Sequence, residues 1–439
     1  MAFFDDNVLL YSDEAKKLYA QVKDLPILDY HCHLDAGLIS KDDDFTDIGW
    51  LWLAGDHYKW REMRINGIDE EYITGNKSWE EKFIAYASIV PSLIGNALYY
   101  WTHFELKQIF GINKPLNKNT AKEIYDEANA KLKSLSPRKL LEFFKVELVA
   151  TTDDPIDNLC YHKTYGNTRV VPTFRPDKLY ALSDDYIQKL AYVSEIDVQN
   201  LDDLLCALEK RLDFFVSKGC KMSDHGFDTF PSCYATKEEA NEIFINRKNA
   251  SEIDKDKFFG FMLLWLSKQY AKRNIAMQIH FAVTRNVNKE GFAKSGVDSG
   301  YDVISSPTDP KRLIEFLSQT EDATRPEVIL YTLNDAPLKS LTAISGAFRK
   351  VRMGAAWWFN DTVEGIRYNL KTIAEYSALG RNLGMLTDSR SFSSYSRFDF
   401  FRRILCDYVG NLVAKGEYDE DSAVELVTNI CYNNPKELL

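Results

Sequence analysis

Residues 26–35 read PILDYHCHLD, placing two histidines one residue apart in a chain that has only seven. An apolar run of this kind reads as a β-strand. Side chains alternate along a strand, so His31 and His33 face the same way, about 7 Å apart, and Cys32 faces the other. Neutral imidazole suits zinc and other first-row divalent ions. A pair of hydrogen-bonded core histidines would have the same pattern, so the fold around the strand has to decide between the two readings.

Outward from this stretch, further strand-like runs recur, each followed by a helical pattern, as in parallel βαβ units. They are Ile27–His31, Glu147–Thr151, Arg169–Phe174, Cys220–Ser223, Ile275–Phe281, Val328–Leu333, Val351–Trp357 and Gly384–Thr387. Eight such units favour a closed barrel over an open sheet. Between them lie LDDLLCALEKRLDFFVSKG and DKFFGFMLLWLSKQYAKRN, apolar at three- and four-residue spacing. The gap between the first two runs is far longer than a crossover needs. It holds WEEKFIAYASIV, HFELKQIFG and NTAKEIYDEANAKLKS, all of helical period, and reads as a helical insertion. The chain then divides into an N-terminal helix with strand 1 (1–34), a helical insertion or lid (35–145) and the rest of the barrel (146–439).

In such barrels reactive groups stand at the C-terminal strand ends. The ends here read DYHCH, ATTDD, TFRPD, SDHG, QIHFAVTRN, YTLN, WWFND and TDSR, rich in ionisable residues. His280 and Asp388 each close a strand-like run where further ligands of one ion would stand; the plainer readings are a satisfied buried histidine and a helix N-cap. AGDHYKWREMR (54–64) crowds His57, Tyr58, Lys59, Arg61 and Arg64 around Trp60, either as a solvated helix face or as a lid carrying proton donors over the barrel mouth. Arg175, before Pro176, and Arg390, two residues past Asp388, bring guanidinium groups suited to a carboxylate or oxyanion.

The net charge is −11 and no Lys/Arg stripe is present, which argues against nucleic acid as partner. The start MAFFDDNVLLYSDEAKK lacks the pattern of a signal peptide, and no apolar run is long enough to span a membrane, so a cytoplasmic protein is expected. Seven scattered cysteines without a C-x-x-C pair indicate neither a disulfide framework nor a cysteine zinc site.

DYHCHL, GDHYKWR, SDHG, MQIHFAVTRN, WWFND and TDSRSFSSYSRFDFFRRIL together resemble the uronate isomerase (glucuronate isomerase) family of the amidohydrolase superfamily, from about residue 24 to about residue 410. The resemblance implies an α/β fold, a distorted (β/α)8 TIM barrel with a helical insertion after strand 1. It also implies interconversion of D-glucuronate with D-fructuronate and of D-galacturonate with D-tagaturonate. By position it makes His31, His33 and Asp388 the ligands of one divalent metal ion, with zinc expected. It places His57, Tyr58, Arg175, Asp224, His280 and Arg390 around a hexuronate. Superfamily relatives with two metals use a carboxylated lysine at strand 4; KMSDHG offers only Lys221, which favours one metal.

Aldose–ketose isomerisation through an enediol needs a base, an acid and positive charge beside the developing oxyanion. Asp388 and Tyr58 are the expected proton carriers, Arg390 the partner of the enediolate and Arg175 that of the sugar carboxylate, with His57 and His280 assisting. The alternatives are a metal-dependent hydrolase or deaminase on the same barrel and a non-catalytic sugar-acid binding protein. The aromatic stripe NALYYWTHFEL (96–106) is either core packing of the insertion or a contact in a homo-oligomer.

Overall fold

The computed structural model describes residues 3–439. Its strands are β1 (Ile27–Asp29), β2 (Val146–Asp153), β3 (Thr164–Tyr165), β4 (Thr168–Phe174), β5 (Met222–Phe227), β6 (Ala276–Phe281), β7 (Val283–Thr284), β8 (Val303–Ile304), β9 (Val328–Thr332) and β10 (Val351–Met353). Parallel pairing runs in the order β1-β2-β4-β5-β6-β9-β10; β3 lies antiparallel to β4, and β7 pairs with β8 in a separate hairpin. Along each strand, alternate residues point into the barrel. Leu148, Met222, Ile329 and Tyr331 fill its interior, while Val149, Leu330 and the helices build the larger core outside.

Residues 384–387, expected as an eighth strand, run beside β1 without a regular ladder. The backbone leaves the extended region on both sides: Gly384 has φ +69°, a Cβ there would lie 2.5 Å from the Ile430 carbonyl, and Asp388 has φ +45°. Closure rests instead on individual bonds. Asp388 N–H donates to the His31 carbonyl (3.1 Å) and His33 N–H to that of Ser389 (3.0 Å). The fully buried Asp29 carboxyl accepts the Thr387 N–H at 2.9 Å and its hydroxyl at 2.6 Å. The barrel is therefore distorted at its seam.

The fourth strand starts later than the run Cys220–Ser223 suggests. Gly219 (φ +91°) ends the helix Leu201–Ser217, and Cys220 N–H still bonds back to Phe215 (3.1 Å), so the chain is extended only from Met222. SDHG consequently lies inside β5, and Lys221 precedes the strand, at the end opposite the mouth.

Helices fill the long segment between β1 and β2, among them His57–Ile65, Trp79–Ile89, Ala97–Phe110 and Ala121–Leu132. The aromatic stripe is core: Trp101 and Phe104 are buried in Ala97–Phe110, and the Arg397 guanidinium lies 3.8 Å from the Trp101 ring centroid. Arg397 also donates to the Thr387 carbonyl (2.9 Å), so the helix Ser396–Ala414 braces the seam and the insertion together. Five residues further along the same helix, Arg402 donates to the carbonyls of Leu25 (2.9 Å) and Pro26 (3.0 Å), just before β1.

Burial pushes the pKa of Asp29 up to about 7, against the Thr387 bonds that lower it. Its folded value lies above the unfolded one of about 3.9, so the stability it contributes is complete below about pH 4 and is lost as pH rises through about 7. Asp29→Asn keeps the shape without the titration. In thermal melts from about pH 5 to 8, wild type should lose stability relative to this variant; curves that stay parallel would show that Asp29 does not titrate there.

Candidate active site

At the C-terminal strand ends a cavity of about 490 Å³ opens over His31, His33, His280 and Asp388. β1 ends at Asp29, short of the expected His31, but the chain stays tied to β2 through Cys32 N–H on the Ala150 carbonyl (3.0 Å), and His31 and His33 meet Asp388, whose Oδ1 lies 3.3 Å from His31 Nε2 and 3.1 Å from His33 Nε2. One donor atom from each of the three lies within 4.8 Å of the other two. The left-handed backbone of Asp388 is a conformation aspartate tolerates better than most residues, and it turns the carboxylate onto the seam. The Trp357 indole N–H donates to the other oxygen, Oδ2, at 2.9 Å. That bond fixes the carboxylate plane and leaves Oδ1 to the histidines.

Burial alone would raise the Asp388 carboxyl, but the bonds from His31 and His33 hold it well below the usual carboxylate range. Burial lowers His33. It also works on His31, where Asp224 and then Asp388 outweigh it and raise the pKa. Two imidazoles and an ionised carboxylate in this arrangement fit a single divalent cation.

His280, from β6, stacks on the His31 ring (4.7 Å between centroids) and gives Nδ1 to the buried Asp224 Oδ1 at 2.7 Å. Its buried Nε2 has no hydrogen-bond partner among the described residues. His31, Asp224 and His280 form a second group of close donor atoms that shares His31 with the first. Asp224 also pairs with Arg175 Nη1 at 3.0 Å, and Arg175 Nε donates to Asp177 at 2.8 Å. Gly226 makes room for this clamp, since a Cβ there would come within 2.4 Å of Arg175 Nη2. Arg175 lines the cavity, yet it is already held by two carboxylates and is less free for a ligand than its sequence position suggests.

The cluster at 54–64 is neither a solvated face nor a free cationic lid. Asp56 caps the helix His57–Ile65 and pairs with the buried Lys59. Arg61 donates to the Gly300 and Asp302 carbonyls, and Arg64 to Ser299 and Glu70. His57 lines the cavity; burial, then the charge of Arg390, lower its pKa to about 4, so it is neutral near pH 7. Tyr58 does not line the cavity. It packs against Trp358 and Trp101, with its hydroxyl buried and unpartnered among the described residues, and burial holds its pKa well above 10.0. Asp224 likewise lies behind the wall.

Arg390 lines the cavity and donates to Asp298 at 2.8 Å. Asp153, Asp154, Asp157 and Asp177 make one wall acidic. Sequence reasoning assigned no role to Trp357, Arg285, Asp298 or Asp153, although all but Asp298 stand in strand-end segments it singled out.

A family model described as glucuronate isomerase matches residues 1–439. The uronate isomerase of Caldanaerobacter subterraneus subsp. tengcongensis is 43% identical, across 100% of this chain and 99% of its own length. Among solved structures, a uronate isomerase from Thermotoga maritima superimposes with TM-score 0.96 at 35% identity, covering 100% of both chains. A glucuronate isomerase from Caulobacter crescentus gives 0.94 at 27% identity, covering 99% of this chain and 96% of its own.

Trp357→Phe keeps the ring packing and removes the bond to Asp388, so divalent-ion affinity should fall about 10- to 100-fold, the usual worth of such a support. Competition with a chelator measures it, and an unchanged affinity would show that the indole does not orient the carboxylate. His31→Ala with His33→Ala should abolish the site while the chain stays folded.

Proposed function

The chain belongs to the glucuronate isomerase family, and from that membership and the barrel mouth we propose that it interconverts the aldose and ketose forms of hexuronates, D-glucuronate with D-fructuronate and D-galacturonate with D-tagaturonate. The observation that carries this reading is the set His31, His33 and Asp388 opening onto a cavity lined both by acidic, hydroxyl-accepting groups and by the guanidinium groups of Arg175, Arg285 and Arg390. The donor set fits one divalent ion, zinc by the preference of imidazole, which when bound would polarise the oxygens of the open-chain sugar. No helix among the described residues is long and apolar enough to cross a membrane, and seven free cysteines suit a reducing compartment; we place the reaction in the cytoplasm.

The reaction moves a proton from C2 of the aldose to C1 through an enediol, and a second from O2 to O1, for which neutral His57 and His280 stand beside the sugar oxygens. Asp388 is ionised and orients one oxygen through Trp357, which makes it the base for C2. Asp388 then returns the proton to C1; Tyr58, the other expected carrier, keeps a protonated phenol behind the cavity wall and takes part only if it turns past Trp358 into the cavity. Neutral His57 and the free Nε2 of His280 hydrogen-bond sugar oxygens and assist ring opening. Thr152, Asp153 and Asp154 accept sugar hydroxyls, and the charge of the two aspartates repels a carboxylate, which favours placing the acid end of the substrate at Arg285 and Arg390. The clamp on Arg175 argues for handing the carboxylate to Arg390; Arg175 stays as a fixed cation whose field reaches Asp388 and favours the enediolate.

A solved hydrolase-like neighbour shares only the fold, at 13% identity and TM-score 0.59. An assay separates the chemistries. Incubation with D-glucuronate or D-galacturonate should yield a ketose of unchanged mass, and no such product would refute the isomerase reading. Asp388→Asn should abolish turnover. Tyr58→Phe should slow it by roughly 10² to 10⁴ if the phenol carries a proton, whereas a rate near wild type would reduce Tyr58 to packing.

A further inference from the structure

Every cavity arginine has an acidic partner, but the partners are not alike. Asp224, on Arg175, is fully buried, and Asp302, 3.1 Å from Arg285, is 3% exposed. The carboxylate 2.8 Å from Arg390 belongs to Asp298, which is 43% exposed and also stands 3.7 Å from Arg285. A part-exposed pair of this kind is held weakly and opens at little cost. Burial tends to raise the Asp298 carboxyl, but Arg390 and Arg285 outweigh it and keep the group ionised.

Asp298 lies on the excursion between β7 and β8, and the chain beside it is fastened. Arg64 donates to the Ser299 carbonyl, and Arg61 to those of Gly300 (3.4 Å) and Asp302 (3.0 Å). Gly300 has φ +91°, and a Cβ there would sit 2.9 Å from the His57 carbonyl, so this approach needs glycine. The neighbouring backbone is thus tied to the helix His57–Ile65, and the Asp298 side chain is the part free to exchange. Val297 and Asp298 themselves line the cavity.

Building on the isomerase reading, we propose that Asp298 is a resident counter-ion: it occupies the anion subsite of Arg390 and Arg285 until the carboxylate of the sugar acid displaces it. Asp298 thereby sets how strongly an acid is preferred over a neutral sugar of the same length. An anion already in place balances Arg390 before substrate arrives, whereas Arg285 keeps its own buried partner, Asp302. The remaining cations of the cavity are less available: Arg175 is clamped by Asp177 and Asp224, and Lys178 sits among Asp153, Asp154 and Asp157, 3.1 Å from Asp154.

The test is calorimetric binding of D-gluconate, a six-carbon acid that cannot isomerise, and of D-glucitol, its neutral counterpart, to full-length wild type and Asp298→Asn at low salt. Removing the competing charge should tighten gluconate roughly two- to fivefold, the worth of one part-exposed ion pair, and leave glucitol unchanged. Asp298→Ala carries the same expectation, and Asp298→Glu should behave as wild type. Gluconate binding that is unchanged or weaker in both neutral variants would overturn the proposal, as would an equal gain for glucitol. Failure of the isomerase reading would appear elsewhere, as wild-type protein that makes no ketose.

Discussion

The site depends on one closure. His31 and Asp388 are far apart in sequence, and the seam that joins them has no ladder to align it. Two backbone hydrogen bonds and the buried carboxyl of Asp29 set the register between the first strand and the last segment. A slip of one residue in a strand turns its side chains to the opposite face, so a shift here would carry both histidines out of the barrel. A seam made of few bonds also allows the left-handed turn at Asp388, which a regular strand would forbid. The irregularity of the barrel and the geometry of its donor set therefore have one cause.

Around that seam the charges fall into a fixed and an exchangeable class. Asp224 orients His280 and clamps Arg175, and Trp357 orients Asp388; these groups are buried and keep their geometry before any substrate arrives. The ion pair of Arg390 with Asp298 is open to water and can be traded for a ligand's carboxylate. A site of this kind meets its anion without leaving a cation unpaired, and it holds its reacting groups still while doing so.

Much of this was legible in the sequence because it follows local rules. Seven of the eight strand-like runs correspond to strands of the parallel sheet, and His31, His33, His280 and Asp388 converge as strand alternation and strand-end position imply. The eighth run misled, since Gly384 and Asp388 leave the extended region for reasons set by Ile430 and His31, distant partners that no window of sequence shows. Arg175 looked like a free carboxylate ligand because Asp177 and Asp224 reveal their clamp only in three dimensions. The basic residues of AGDHYKWREMR looked available, yet Lys59, Arg61 and Arg64 are spent on a helix cap and on carbonyls of a loop more than two hundred residues away. Asp298 carries no local signal, being an aspartate in a polar loop. Its role comes from the arginines it faces.

The central claim is that this seam places a base beside C2 of a hexuronate and moves that hydrogen as a proton. Isotope tracing addresses it most directly. With D-glucuronate in heavy water, the ketose formed should carry solvent deuterium at C1, to an extent set by how well the mouth shields the base. If D-glucuronate deuterated at C2 instead gave, in ordinary water, a ketose with all of its deuterium at C1, the hydrogen would have moved without meeting an exchangeable base, and the account would be wrong.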